Sequence, residues 1–279
     1  MSTVSPLVEI VVIALVCVAS GCLGSLLGLG GGTFIVPILT LAFGLDVRLA
    51  IGASVISVVA GSAAASPRYL DQGFANLRIA VTLEVATVSG AVGGALLAGH
   101  LSARTLYVVF GTVLAFSAVQ MLRNRQERSG LAVPGDRIAD VLTLHGSVTD
   151  GQRQRAYQVT RTATGLTMMT AAGAVSGLLG IGSGAMKVPA MDLAMRLPIK
   201  VSTATSNLMI GVTGAASAVV YLQRGDVVPA LAAAVAIGTV VGARLGSRML
   251  AGVRTTTLRA VFLVVLLVIS AQMLLRGLA

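Results

Sequence analysis

Residues Gly21–Leu122 recur, without a gap, as Gly173–Leu274. At this offset of 152 positions about thirty of about a hundred aligned residues are identical, a self-similarity that governs how every other motif is read. The matches are not only apolar. Gly28, Gly30 and Gly32 fall on Gly180, Gly182 and Gly184, and Pro37 falls on Pro189. Ser54 falls on Ser206, Tyr69-Leu70 on Tyr221-Leu222, and Gly90, Ala91 and Gly94 on Gly242, Ala243 and Gly246. The chain is therefore two copies of one helical design, residues 1–122 and 162–279, joined by a polar segment, 123–161.

Each copy is built for lipid. The 279 residues are 56% hydrophobic and only 11% charged, where a soluble domain carries about a quarter charged residues. Apolar runs reach the ~20 residues that cross a bilayer as helix. The expected fold is an all-α polytopic membrane protein with eight to ten membrane segments. The N-terminal apolar run lacks a basic leader and exceeds a signal core, so it reads as a retained first span. Cys17 and Cys22 read as packing residues. His100 and His145 have no partner at metal-ligand spacing, and neither a metal nor another cofactor is expected. The net charge of +10 fits basic loops on the cytoplasmic side better than nucleic-acid binding, for which no aromatic-rich basic patch is present.

In each copy a long helix, near 7–28 or 162–180, ends at glycines. A segment of about a dozen residues follows, "TFIVPILTLAFGL" or "AMKVPAMDLAMRL", too short to span alone. Three more spans come near 48–67, 79–98 and 105–122, with counterparts near 200–220, 228–248 and 257–275. Between the copies, "DVLTLHGSVTDGQRQRAYQV" alternates about Asp150-Gly151 and predicts a small extramembrane hairpin. The whole polar segment, 123–161, holds seven arginines, which place it in the cytoplasm. The basic bias of matched loops swaps between copies, which points to inverted repeats with both termini outside. A parallel arrangement of four spans per copy is the alternative, and it would put Arg196, Lys200, Arg248 and Arg254 outside.

The breaks "GSLLGLGGGTFIVPIL" and "GLLGIGSGAMKVPAM" are the candidate site. Unpaired backbone survives in a bilayer only where protein or a water-filled cavity covers it. Helix starts expose N–H groups to anions, and glycines let a ligand approach the main chain. The site residues read from these stretches are Gly30, Gly31, Gly32 and Thr33 with Gly182, Ser183, Gly184 and Lys187. Ser54 and the polar helix "VSTATSN", with Thr203, Thr205, Ser206 and Asn207, add hydroxyl and amide donors. Lys187, where the first copy has Ile35, is an intramembrane cation; it either serves a substrate, snorkels, or pairs with Asp192. Glu84 either carries a proton or is tied to a threonine such as Thr82 or Thr87. The isolated glycines Gly90, Gly94, Gly242 and Gly246 read as helix-packing positions.

"GLGGGTFIVPIL", "VSTATSNLMIGVTGAASAVVYLQRGDV" and "GTVVGARLGSRM" resemble the signature stretches of the sulfite exporter TauE/SafE family, within the toluene-sulfonate uptake permease superfamily. The resemblance implies an integral carrier of sulfur-containing anions such as sulfite, sulfonates or sulfoacetate, multi-pass in a bacterial cell membrane. The expected activity is secondary transport by alternating access, coupled to an ion or proton, since no P-loop is present to use ATP. The expected partners are a small anion and the lipid bilayer, and a homo-oligomer is admitted. An anion channel, or a carrier of another small organic anion, is the alternative. An enzyme is not expected, because Ser183 has no histidine in any membrane span.

Overall fold

A chain this apolar must satisfy its backbone internally, and the computed structural model does so almost wholly with helices. It describes residues 6–123, 136–150, 153–182, 184–253 and 255–278. Helix α1 (Pro6–Leu27) ends at the first glycine break, and α2 (Gly32–Pro37) resumes beyond it. Pro37 has no N–H to continue an α-helical ladder, and a π-helical turn, Ile38–Ala42, follows it. Then come α3 (Val47–Asp71), α4 (Leu77–Ala98) and α5 (Ala103–Arg123). After α6 (Arg137–Val141) and the strands β1 (Gly146–Asp150) and β2 (Arg153–Tyr157), the series repeats. Helix α7 (Thr162–Leu179) leads to the second break, α8 (Gly184–Pro189) and a π turn, Ala190–Ala194. Helices α9 (Ile199–Gln223), α10 (Pro229–Met249) and α11 (Thr255–Leu278) complete it. Among the described residues six helices are long and apolar enough to cross a membrane, and α5 and α11 carry shorter apolar stretches. The protein is an all-α polytopic membrane protein.

The element bounds repeat at the sequence offset almost residue for residue, down to the two π turns. Contacts repeat with them, but across the halves. Helix α1 packs along α10 and α4 along α7, while α3 meets α9 and α5 meets α11. Small residues make the crossed pairs close. A Cβ at Gly90 or Gly94 would lie 2.1 Å from the Thr170 oxygen or 1.9 Å from the Ala174 oxygen. A Cβ at Gly242 or Gly246 would lie 2.0 Å from the Val18 oxygen or 2.3 Å from the Cys22 oxygen. These four glycines are packing glycines. The outer faces are apolar too: the matched Val85 and Ile237 are 71% and 65% exposed, which suits lipid and not water.

The inserted segment folds against one end of the bundle. Strands β1 and β2 pair antiparallel, Gly146 opposite Tyr157, as the alternation predicts. Residues 151–152, including Gly151 of the expected turn, and residues 124–135, with Arg125 and Arg128, lie outside the described residues. Asp136 caps α6 through the Ala139 N–H at 2.7 Å and also accepts from the Thr162 hydroxyl at 2.9 Å and the Thr162 N–H. Partial burial pushes its carboxyl up, yet these bonds outweigh that and hold it below the ordinary aspartate range. Asn76 ties the segment to the membrane helices. Its side chain caps α4 at the Ile79 N–H (3.1 Å) and donates to the Leu144 oxygen (3.2 Å) and the Tyr157 hydroxyl (2.9 Å). Its own N–H donates to the Thr205 hydroxyl at 3.0 Å.

Gly94→Leu should sharply lower expression and melting temperature, because a backbone carbonyl blocks the new side chain. Its neighbour Gly93 meets nothing within 4 Å, so Gly93→Leu should leave both unchanged. Thermal melts of detergent-purified protein compare the two; equal tolerance would show that α4 and α7 do not need this approach.

Candidate functional site

The two breaks lie side by side in the core, where α3 and α9 cross. Gly28, Gly30 and Gly31 adopt φ of +73°, +69° and +83°, and Gly180 and Gly182 adopt +66° and +72°, a backbone region that costs other residues strain. These turns end α1 and α7 inside the bundle and leave carbonyl oxygens without helical donors. Matched side chains supply them. The Ser54 hydroxyl donates to the Gly180 oxygen (2.8 Å), and the Ser206 hydroxyl donates to the Gly28 oxygen (2.9 Å). Each half thus closes the other half's break. The Tyr69 hydroxyl donates to the Ser25 oxygen (2.8 Å) and that of Tyr221 to the Gly177 oxygen (2.7 Å), each within its own half.

The space between the breaks is filled by the matched pair Val58 and Ile210. A Cβ at Gly30 or at Gly182 would come within 2.7 Å of Ile210 Cγ2, and one at Gly182 within 2.8 Å of Val58 Cγ1. Gly32 and Gly184 are crowded too: a Cβ at Gly184 would lie 2.1 Å from the Gly28 oxygen of the opposite half, and one at Gly32 2.7 Å from Val58 Cγ2 and 3.0 Å from the Gly180 oxygen. Leucine at either position would therefore disturb the fold as well as any ligand.

The sequence-derived residues divide by the partners they have here. Ser54 and Ser206 hold the breaks. Asn207 Nδ2 donates to the Ser25 oxygen at 2.8 Å, and Thr205 accepts from Asn76. Among the described residues, the buried hydroxyls of Thr33 and Thr203, and of Ser202 beside them, have no hydrogen-bond partner. Ser183 lies outside the described residues. Lys187 and Glu84, read separately in the sequence, come together: Lys187 Nζ lies 3.6 Å from Glu84 Oε2. Both meet Thr213, whose hydroxyl accepts from Lys187 at 2.6 Å and donates to Glu84 Oε1. Thr82 and Thr87 are not the partners of Glu84; Thr87 bonds the Leu83 oxygen. Thr213 and Asn76 were invisible as site residues, since neither has a polar counterpart in the repeat. The tyrosines were visible only as repeat markers.

The model of the family described as Sulfite exporter TauE/SafE matches residues 13–273. The chain belongs to the TauE/SafE family. It is 25% identical over 275 residues to "Probable membrane transporter protein YunE" of Bacillus subtilis (strain 168), covering 96% of this chain and 98% of that one. A "Probable membrane transporter protein" of Xylella fastidiosa (strain 9a5c) is 26% identical over 223 residues, 80% of this chain and 77% of its own. "Probable membrane transporter protein YdhB" of Bacillus subtilis is 24% identical over 236 residues, 85% of this chain and 88% of its own. No solved structure matches the chain significantly. This TauE/SafE protein is thus a multi-pass member of a membrane transporter family.

Ser54→Ala and Ser206→Ala each leave one buried carbonyl without its donor, which costs about 1–3 kcal/mol. The two losses should be similar in thermal melts, because the bonds are matched. Unchanged melting in either variant would mean that the breaks are held without these serines.

Proposed function

We propose that this TauE/SafE protein is a secondary transporter of small sulfur-containing anions, of the sulfite, sulfonate or sulfoacetate class. It works by alternating access in a bacterial plasma membrane and is coupled to protons. The observation that carries this reading is the buried Lys187 beside the second break, an interior cation at the crossing of the two halves. Buried charge in a membrane helix is costly and by default serves transport. The unpartnered hydroxyls of Thr33, Ser202 and Thr203 add donors in the same core.

Alternating access is supported by the exchanged contacts. In transporters built from inverted repeats, the substrate site lies where discontinuous helices of the two repeats meet. Here Arg104 at the start of α5 donates to the Gly277 oxygen at the end of α11 (2.9 Å). Arg224 after α9 donates to the Ala95 oxygen near the end of α4 (3.0 Å). At the opposite end, the Thr160 N–H beside the hairpin donates to the Met195 oxygen after the second π turn (3.4 Å). These contacts favour halves of opposite orientation, with the hairpin in the cytoplasm. In a cysteine-free background, cysteines at Ser102 and at the exposed Leu278 should react with an impermeant outside reagent, and one at Thr143 should not. Labelling of Thr143→Cys from outside would reverse the orientation.

In proteoliposomes, labelled sulfite and methanesulfonate should enter saturably and in preference to acetate, and faster under an inward proton gradient. Preference for acetate would move the substrate class. Unitary current steps in a planar bilayer would replace the carrier with a channel.

A further inference from the structure

The scaffold around the breaks is matched between halves, but its charge is not. Lys187, Thr213 and Glu84 form one connected group, with Lys187 fully buried and Glu84 9% exposed. Their matched positions are Ile35, Gly61 and Ala236, which carry no charge and no hydroxyl. Among the described residues, Lys187 is the fully buried cation beside the breaks. The group lies next to them: Ile210, one turn before Thr213 on α9, packs against both Gly30 and Gly182.

The pair is not built for strength. Its 3.6 Å separation exceeds the ~2.7–2.9 Å of a charge-assisted hydrogen bond. Glu84 Oε2 has no hydrogen bond among the described residues. Desolvating both charges costs several kcal/mol per ion, which only close, fully bonded geometry repays. A loose buried pair, bridged by a hydroxyl that serves either partner, is readily exchanged.

We propose that Glu84 occupies the place of the transported anion on Lys187, so that each anion crosses with one proton. This rests on the carrier reading above and specifies its coupling. A singly charged sulfur oxyanion arrives at Lys187 as the Glu84 carboxylate leaves, and Glu84 takes one proton from a hydronium ion on the side from which the anion enters. The hydronium O–H bond breaks, the Glu84 O–H bond forms, one water is left, and the site is neutral before and after. On release the proton departs, Glu84 returns to Lys187, and the empty carrier is again neutral. A dianion would leave one buried negative charge over, so monoanions are favoured. Helix α7 has no charged residue. The other charges on elements packed against α4 and α8 are Asp192 in the π turn, Lys200 at the start of α9, and Arg104 and Arg123 at the ends of α5, with Arg78 at the start of α4 itself. Arg104 and Arg78 bond carbonyl oxygens at the helix ends, Lys200 lies 5.8 Å from the centroid of the Phe74 ring, and Asp192 has an interaction of its own.

The test is proton-coupled uptake of labelled methanesulfonate by reconstituted protein. The unaltered protein should accumulate it with one proton per anion and no response to membrane potential. Robust uptake with no proton, or uptake driven by potential, overturns the exchange while leaving a carrier in place. No uptake of any sulfur anion refutes the carrier reading itself. Glu84→Gln should lose pH-driven accumulation about tenfold or more, since its empty site strands Lys187 without a counter-charge, yet still swap internal for external anion. pH-driven accumulation retained in Glu84→Gln overturns the proposal. Asp192→Asn should keep the one-proton stoichiometry; its loss there, with Glu84→Gln coupled, would move the proton to Asp192. The doubly neutral Lys187→Met with Glu84→Gln avoids any stranded charge and should fold without stabilisation by methanesulfonate. Full stabilisation in that variant overturns the role of Lys187.

Discussion

Backbone that leaves a helix inside a membrane must find partners there, and the rest of this molecule is arranged around that requirement. The carbonyl freed at Gly180 takes its hydrogen from Ser54, and the one freed at Gly28 takes its hydrogen from Ser206. Neither half supplies its own serine to its own break. Water cannot substitute in a hydrocarbon surrounding, where each orphaned group costs several kcal/mol. The crossed bonds, with the glycine contacts of α1 on α10 and α4 on α7, make the two halves one structure.

Much of this was legible in the sequence because lipid imposes simple rules. Apolar length gave the spans, the offset of the repeat gave the breaks, and Gly94 and Gly246 declared close helix packing. What was not legible was pairing across distance. "VSTATSN" reads as a row of donors for a ligand, yet Ser206, Asn207 and Thr205 each hold backbone here. Periodicity says which residue types face the interior but not which of their neighbours they meet. For the same reason Glu84 and Lys187 read as separate oddities, and their meeting at Thr213 depends on how α4, α8 and α9 pack.

Several departures from symmetry add polar chemistry to one copy of a position. Asn207 stands where the first half has Val55, Lys187 where it has Ile35, and Thr213 where it has Gly61. Asn76 reverses the direction, facing Val228 in the repeat, and it serves the inserted hairpin. Duplication supplies two equivalent frames; a single charged cluster then makes them unequal. In the proposed carrier cycle, matched walls with Lys187 buried beside them would present one site to the two sides in turn.

The crossed packing also governs how the chain is made. Synthesis delivers α1 to the bilayer long before α10, against which its small residues lie, has been translated. Until then the glycine faces of α1 and α4 have only lipid or the insertion machinery beside them, and Gly28 has no Ser206 to accept from. The halves cannot mature in turn as separate domains do. Assembly waits for the last third of the chain, and a truncated product that stops after the hairpin is an unfinished object, exposed to membrane quality control.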